Sequence, residues 1–297
     1  MGPLMAVLSL TDAIPLLREA HREQRLIPFL GAGFSQPLGL PQWDALMGWM
    51  AEDLGFDPAL FKLHGTALQL AEYLKLVHPN RLPRFIARIE ERFHSDEAQA
   101  RRKKSEQHKA LARCGFRSIY TTNFERHIEG AFSDARKRVM TVARDLDFAR
   151  PVPPGTCAVY KFHGDFADPD TIVLTESQFF NRFSLDAAPD LRLRTDLLTN
   201  VFLFIGYSFN DPNIRYIWHR MDMMRRRASG PTKRRGVLGD VAAVCRSYWV
   251  SFGAGPVQPK LLDRWNIDVI ELDGRDKSRS IVQLLTPLQP RKRRNTR

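Results

Sequence analysis

Leu26-Ile27-Pro28-Phe29-Leu30-Gly31-Ala32-Gly33-Phe34-Ser35 sets five apolar residues directly before a glycine pair. Such a run reads as a buried strand that leaves its sheet through a tight turn. Glycines at that point let backbone N–H groups come close to a pyrophosphate, and a helix starting beyond them would favour its charge. A plain structural turn has the same spelling. The dehydrogenase fingerprint is excluded, because GxGxxG needs glycine where Gln36 stands, and no Gly-Lys-Ser/Thr follows as in a Walker A loop.

Downstream, Trp43 to Leu54 carries apolar residues at helical spacing, and residues 58 to 114 keep that pattern throughout. Further strands are predicted at Ser118–Thr121, Val139–Val142, Ala158–Phe162, Ile172–Leu174, Val201–Ile205, Tyr248–Phe252 and Ile267–Leu272. Helical stretches separate most of them: Phe124–Phe132, Leu191–Thr199, Asn213–Arg226 and Ser278–Leu285. Strands alternating with helices predict an α/β, Rossmann-like doubly wound parallel sheet, with a helical lobe inserted at about 58–114. One domain over 1–290 and a basic disordered tail at 291–297 follow, with an exposed basic loop from Arg227 to Asp240.

Three more motifs fall where predicted strands stop. Thr121-Thr122-Asn123-Phe124-Glu125 brings an amide that can orient a water or a sugar hydroxyl; Asn123 or Thr122 could equally cap the next helix. Lys161-Phe162-His163-Gly164-Asp165 brings a histidine, the natural base near neutral pH, or a turn histidine satisfied by Asp165. Gly206-Tyr207-Ser208-Phe209-Asn210-Asp211 leaves a strand through residues suited to ribose or phosphate, with Asp211 as hydroxyl acceptor or helix cap. Each is ambiguous singly. A doubly wound sheet gathers the carboxyl ends of its strands along one edge, and four motifs there point to one ligand crevice.

Bulk properties bound the classes. Across 297 residues, 43% hydrophobic and 26% charged residues are ordinary globular values. No membrane span and no secretory leader are expected, since Asp12 interrupts the first apolar run and no basic segment precedes it. Cys114, Cys157 and Cys245 are scattered, which indicates neither a disulfide framework nor a cysteine zinc site and fits a cytoplasmic protein. The net charge of +12 lies largely in runs such as Arg101-Arg102-Lys103-Lys104 and Arg291-Lys292-Arg293-Arg294. These runs are either solvated faces or an electrostatic attraction to nucleic acid.

Taken together, the motifs resemble the sirtuin family, and more closely its compact bacterial antiphage branch. Gly31-Ala32-Gly33-Phe34-Ser35 is similar to the family's Gly-Ala-Gly-x-Ser loop, and Gly39-Leu40-Pro41 to the Gly-Ile-Pro after it. Thr121 to Glu125 resembles Thr-Gln-Asn-Ile-Asp, His163-Gly164 the catalytic His-Gly, and Gly206-Tyr207-Ser208 the ribose-binding Gly-Thr-Ser. The resemblance implies NAD as substrate and cleavage of its nicotinamide–ribose bond, with Asn123 and His163 catalytic. It also implies NAD contacts from Gly31, Ala32, Gly33, Phe34, Ser35, Thr122, Gly206, Tyr207, Ser208 and Asp211. Gln42-Trp43-Asp44 stands where the family has an arginine, and the family's paired zinc cysteines have no counterpart. Those departures argue for NAD hydrolysis in antiphage defence over protein deacylation, and for no metal. The same branch implies a homo-oligomer and a HerA-type hexameric ATPase partner. A nucleic-acid-binding or DNA-degrading subunit is the reading that the charge of the chain keeps in competition.

Overall fold

The computed structural model describes residues 7–209, 212–229 and 246–290. Its centre is an eight-stranded sheet: β1 (Val7–Leu8), β2 (Leu26–Leu30), β3 (Ser118–Thr121), β4 (Arg138–Val142), β5 (Thr156–Lys161), β6 (Val201–Ile205), β7 (Ser247–Ser251) and β8 (Ile267–Glu271). All strands run parallel, in the order β1-β8-β7-β6-β2-β3-β5-β4. From β2 the chain builds one half of the sheet through β3, β4 and β5, then returns to β6 on the other side. The strand order therefore reverses between β2 and β6, where open α/β sheets carry their ligand crevice.

Alternation along the strands explains why both faces are covered. In β6, Val201, Leu203 and Ile205 join one core with Leu26, Leu30, Ile119 and Val159. Phe202 and Phe204 turn to the other face, with Ile27, Phe29, Tyr120 and Tyr160. Helices Leu10–Arg22, Glu106–Arg113, His127–Asp134 and Lys277–Leu285 supply the first core, and Ala188–Thr199, Pro212–Ser229 and Val257–Asp263 the second. A strand buried on both faces reads as a continuous apolar run, as β2 and β6 do. Pro28 is tolerated inside β2 because pairing with β3 starts only at Phe29.

Helices Trp43–Leu54, Ala67–Val77 and Arg81–Phe93 build a third core, from Leu46, Met50, Leu70, Leu74, Phe85 and Ile89. Phe166, Ile172 and Leu174, from the segment after β5, complete it. This corrects one expectation: Ile172–Leu174 forms no strand. Its alternating burial comes from packing on these helices, while the Val173 N–H donates to the His163 carbonyl at 2.9 Å and the Leu174 N–H to the Gln178 side chain. A second correction is that residues 227–229 continue the helix Pro212–Ser229. The rest of the predicted basic loop, Asp211, Cys245 and the tail 291–297 lie outside the described residues. Among the described residues no helix is long and apolar enough to cross a membrane.

Candidate functional site

The four motifs sit on four neighbouring strands that end at one level. Leu30 pairs with Ile205 on one side and Thr121 on the other, and Thr121 pairs with Lys161. One residue further on, Gly206, Gly31, Thr122 and Phe162 leave the sheet side by side. One more brings Tyr207, Ala32, Asn123 and His163.

Between β2 and β6 the two loops meet backbone on backbone. A Cβ on Gly31 would stand 2.4 Å from the Gly206 carbonyl oxygen, and one on Gly33 2.9 Å from the Gly206 Cα. Gly206 takes φ +66°, and a Cβ there would lie 2.1 Å from the Phe34 nitrogen. The N–H groups of Gly31 and Gly33 donate to the carbonyls of Ile205 and Gly206, both at 3.0 Å. These glycines are thus required first by the junction of two loops. Around this junction Ala32, Gly33 and Ser208 are exposed and Gly206 is half-buried. Phe34 is completely buried and packs on His108, 4.8 Å between ring centroids. The Tyr207 ring lies against Phe29, Phe204 and Phe209, so these two aromatics anchor their loops from within.

At the end of β3 the helix-capping alternative is not realised. The helix begins at His127, whose N–H donates to Glu125 Oε2 at 2.7 Å. Thr122 is half-buried. The Thr121 hydroxyl donates to the Leu30 carbonyl and accepts the Asn123 N–H at 3.0 Å, tying the turn to β2. Asn123 is 8% exposed, and its Nδ2 donates to Glu125 Oε1 at 3.0 Å and to the Gly31 carbonyl at 3.4 Å. Both acceptors lack a hydrogen to give, so they fix the amide orientation with its NH₂ group toward Glu125 and Gly31. Ser35 Oγ donates to the same Glu125 oxygen at 2.7 Å. Burial pushes the Glu125 carboxyl upward, but Lys161, His127, the His127 N–H and Ser35 outweigh it and bring its pKa to about 2. Burial raises that of Glu129.

His163 follows β5 and is 6% exposed, with the Phe179 ring edge-on at 5.0 Å. Gly164, at φ +95°, turns the chain where any Cβ would strike the Thr171 carbonyl. Arg182 secures the strand end: it donates to the Phe162 carbonyl at 2.8 Å, lies over the Phe162 ring, and pairs with Asp190 through two bonds of 2.7 Å. The Asp165 carboxylate accepts the Ala167 N–H and faces Arg126 and Lys161.

Glu125, Lys161 and Arg182 were not among the expected site residues. Lys161 carried a signal, since a lysine closing an otherwise apolar strand run is unusual. Arg182 carried none, because its partner and the carbonyl it holds come from different segments. Among the described residues no group of three or more His, Cys, Asp or Glu side chains could hold a metal ion; Cys114 and Cys157 are buried free thiols.

Residues 117–270 match the family model described as a SIR2-like domain. The chain is 31% identical over 217 residues to the NAD(+) hydrolase ThsA of Cytobacillus dafuensis, an alignment covering 72% of this chain and 42% of that protein. It is 31% identical over 200 residues to the NAD(+) hydrolase ThsA of Bacillus cereus (strain MSX-D12), covering 67% and 40%. To the defense-associated sirtuin 2 of Bacillus subtilis it is 23% identical over 222 residues, covering 72% and 21%. The chain thus spans less than half the length of these curated relatives.

Proposed function

The chain belongs to the SIR2-like family, and from that premise we propose that it binds NAD across the ends of β6, β2, β3 and β5 and hydrolyses the nicotinamide–ribose bond. The loop 31–35 and Gly206–Ser208 receive the pyrophosphate and the adenosine end, with Thr122 at the mouth of the pocket. Asp211 is assigned to the same end on sequence grounds alone. Breaking the bond returns its electron pair to the nicotinamide nitrogen and leaves an oxocarbenium-like ribose. Asn123 Oδ1 holds the attacking water or a ribose hydroxyl, and His163 takes the proton as oxygen adds to the sugar. No metal takes part in this reading.

The observation that carries the reading is the shared level of the four strand ends, with the Asn123 amide held by Glu125 and the Gly31 carbonyl beside them. Chromatography of NAD incubated with the purified chain tests it. Replacing Asn123 or His163 by alanine lowers turnover roughly 100-fold or more with the fold intact; parental turnover in either variant defeats the assignment.

In the cell we assign the activity to antiphage defence by NAD depletion, within a homo-oligomer that a HerA-type ATPase restrains or activates. Phe56, Leu60, Leu63 and Leu76 expose apolar surface on the helical lobe, as a subunit contact requires. A 34 kDa species in solution at micromolar concentration would remove the oligomer. Failure of a co-expressed ATPase to co-purify or to change the rate would remove the partner.

One observation favours nucleic acid as a further partner. Arg102, Lys103, Lys109, Arg113 and Arg136 line a groove of about 500 Å³ in which Asp134 is the lone acid. DNA binding that survives Asn123→Ala, with no nicotinamide released by the parent, would make this the main function.

A further inference from the structure

Lys161 is the last residue of β5, and its side chain is wholly inaccessible to solvent. Its ammonium lies 3.2 Å from Glu129 and 3.9 Å from Asp165. It also donates to the backbone carbonyls of Asn123, at 3.4 Å, and of Glu125. A lysine fully out of water is costly unless its charge and its donors are met, and here they are met by the turn that carries Asn123. The turn is therefore held twice. Lys161 grips its carbonyls from β5, and the Glu125 carboxylate grips the Asn123 amide from within the turn.

We propose that Lys161 and Glu125 form a buried positioning pair: the ammonium fixes the Asn123–Glu125 backbone and keeps Glu125 an acceptor-only carboxylate, which in turn aims Asn123 Oδ1 at the ribose. Neither residue need touch substrate. The pair acts through Asn123, so the proposal rests on the NAD-cleaving reading. An ionised carboxylate admits one amide orientation, whereas a protonated acid or a glutamine side chain could present a donor and let the amide turn over. Other charged or titratable groups face the pair from every side. They are Glu129 from helix His127–Asp134, Asp165 from the turn after β5, His127 and Arg126 beside Glu125, His94 at the end of helix Arg81–Phe93, and His108 from helix Glu106–Arg113. Against Glu125, Glu129 and Asp165, Lys161 is the buried cation among the described residues of this cluster. Its removal takes from Glu129 and Asp165 an ammonium within 4 Å, and from Glu125 the same neighbouring positive charge.

The test uses the full chain and compares Lys161→Met, Glu125→Gln and the double variant with the parent. NAD turnover is measured from pH 5 to 9, and far-UV circular dichroism checks the fold. At pH 7 each single variant loses about 100-fold in kcat, the scale of a misaligned reacting group, while KM stays within about threefold. Lys161→Met regains kcat as pH rises and Glu125 ionises again, a limb that the parent lacks in this range and that disappears in the double variant. A purely structural lysine would lower kcat without creating that limb. If Lys161→Met does not fold, Glu125→Gln decides: parental kcat overturns the proposal, and a 100-fold loss at unchanged KM supports it. A folded Lys161→Met with the parental pH profile also overturns it. A parent that releases no nicotinamide defeats the underlying function instead, which keeps the two failures apart.

Discussion

Gly206 is a residue at which even a methyl group has no room. It holds φ +66° with the Phe34 nitrogen and Gly33 carbonyl carbon closing the space where a Cβ would go. Gly206→Ala adds left-handed strain to a backbone clash. It should cost at least about 2 kcal/mol in urea unfolding and lower kcat/KM for NAD, because the β2 and β6 loops are forced apart. His108 makes the second residue-scale prediction. Buried beside Phe34, it has its pKa lowered by desolvation from 6.5 to about 4. The unfolded chain therefore binds this proton where the folded one does not. Its contribution is complete above about pH 6.5 and drains away as pH falls toward 4, up to ~3 kcal/mol. Urea midpoints of the parent and His108→Gln should diverge in slope across that window; parallel curves would refute the assignment. Sequence reading finds residues of this kind unevenly. The places of Asn123 and His163, two residues past β3 and β5, were legible from the apolar runs before them. The inward turn of Ser35 toward Glu125 depends on a contact 90 positions away and leaves no local trace.

The junction after β5 is held by a buried ion pair. Arg182 sits about nine-tenths buried between Asp190 and the Phe162 carbonyl, one residue before His163. Asp190→Ala would leave a guanidinium without its counter-charge in the interior. Such losses run to roughly 3–5 kcal/mol, read here as a lower denaturation midpoint, and NAD turnover should fall with it. At this scale the strands were largely legible, because two buried faces produce unbroken apolar runs such as Val201–Ile205. Ile172–Leu174 misled for a physical reason: alternation reports a half-buried ribbon, and packing on helices yields it as readily as a ladder does. The two-residue edge strand β1 is too short to carry any period. The helix after β3 starts at His127 because Glu125, not Asn123, takes its first N–H.

For the whole molecule, the excess of 12 positive charges is the property most open to experiment. Composition gave its size, but only the fold gathers Arg102, Lys109, Arg113 and Arg136 around one groove from three separate stretches of chain. If that groove takes a phosphate backbone, the logarithm of DNA affinity falls linearly with that of salt, and Arg113→Ala and Arg136→Ala each flatten the slope by about 1. Unchanged slopes would mean that the groove is merely solvated. The level strand ends carry a last consequence, one of length. Adjacent strands lie about 4.8 Å apart, so the shelf from β6 to β5 measures roughly 14 Å. That is a built-in yardstick: a dinucleotide can reach from one end to the other, while a mononucleotide must leave half of it bare, and nicotinamide mononucleotide should accordingly compete with NAD only feebly.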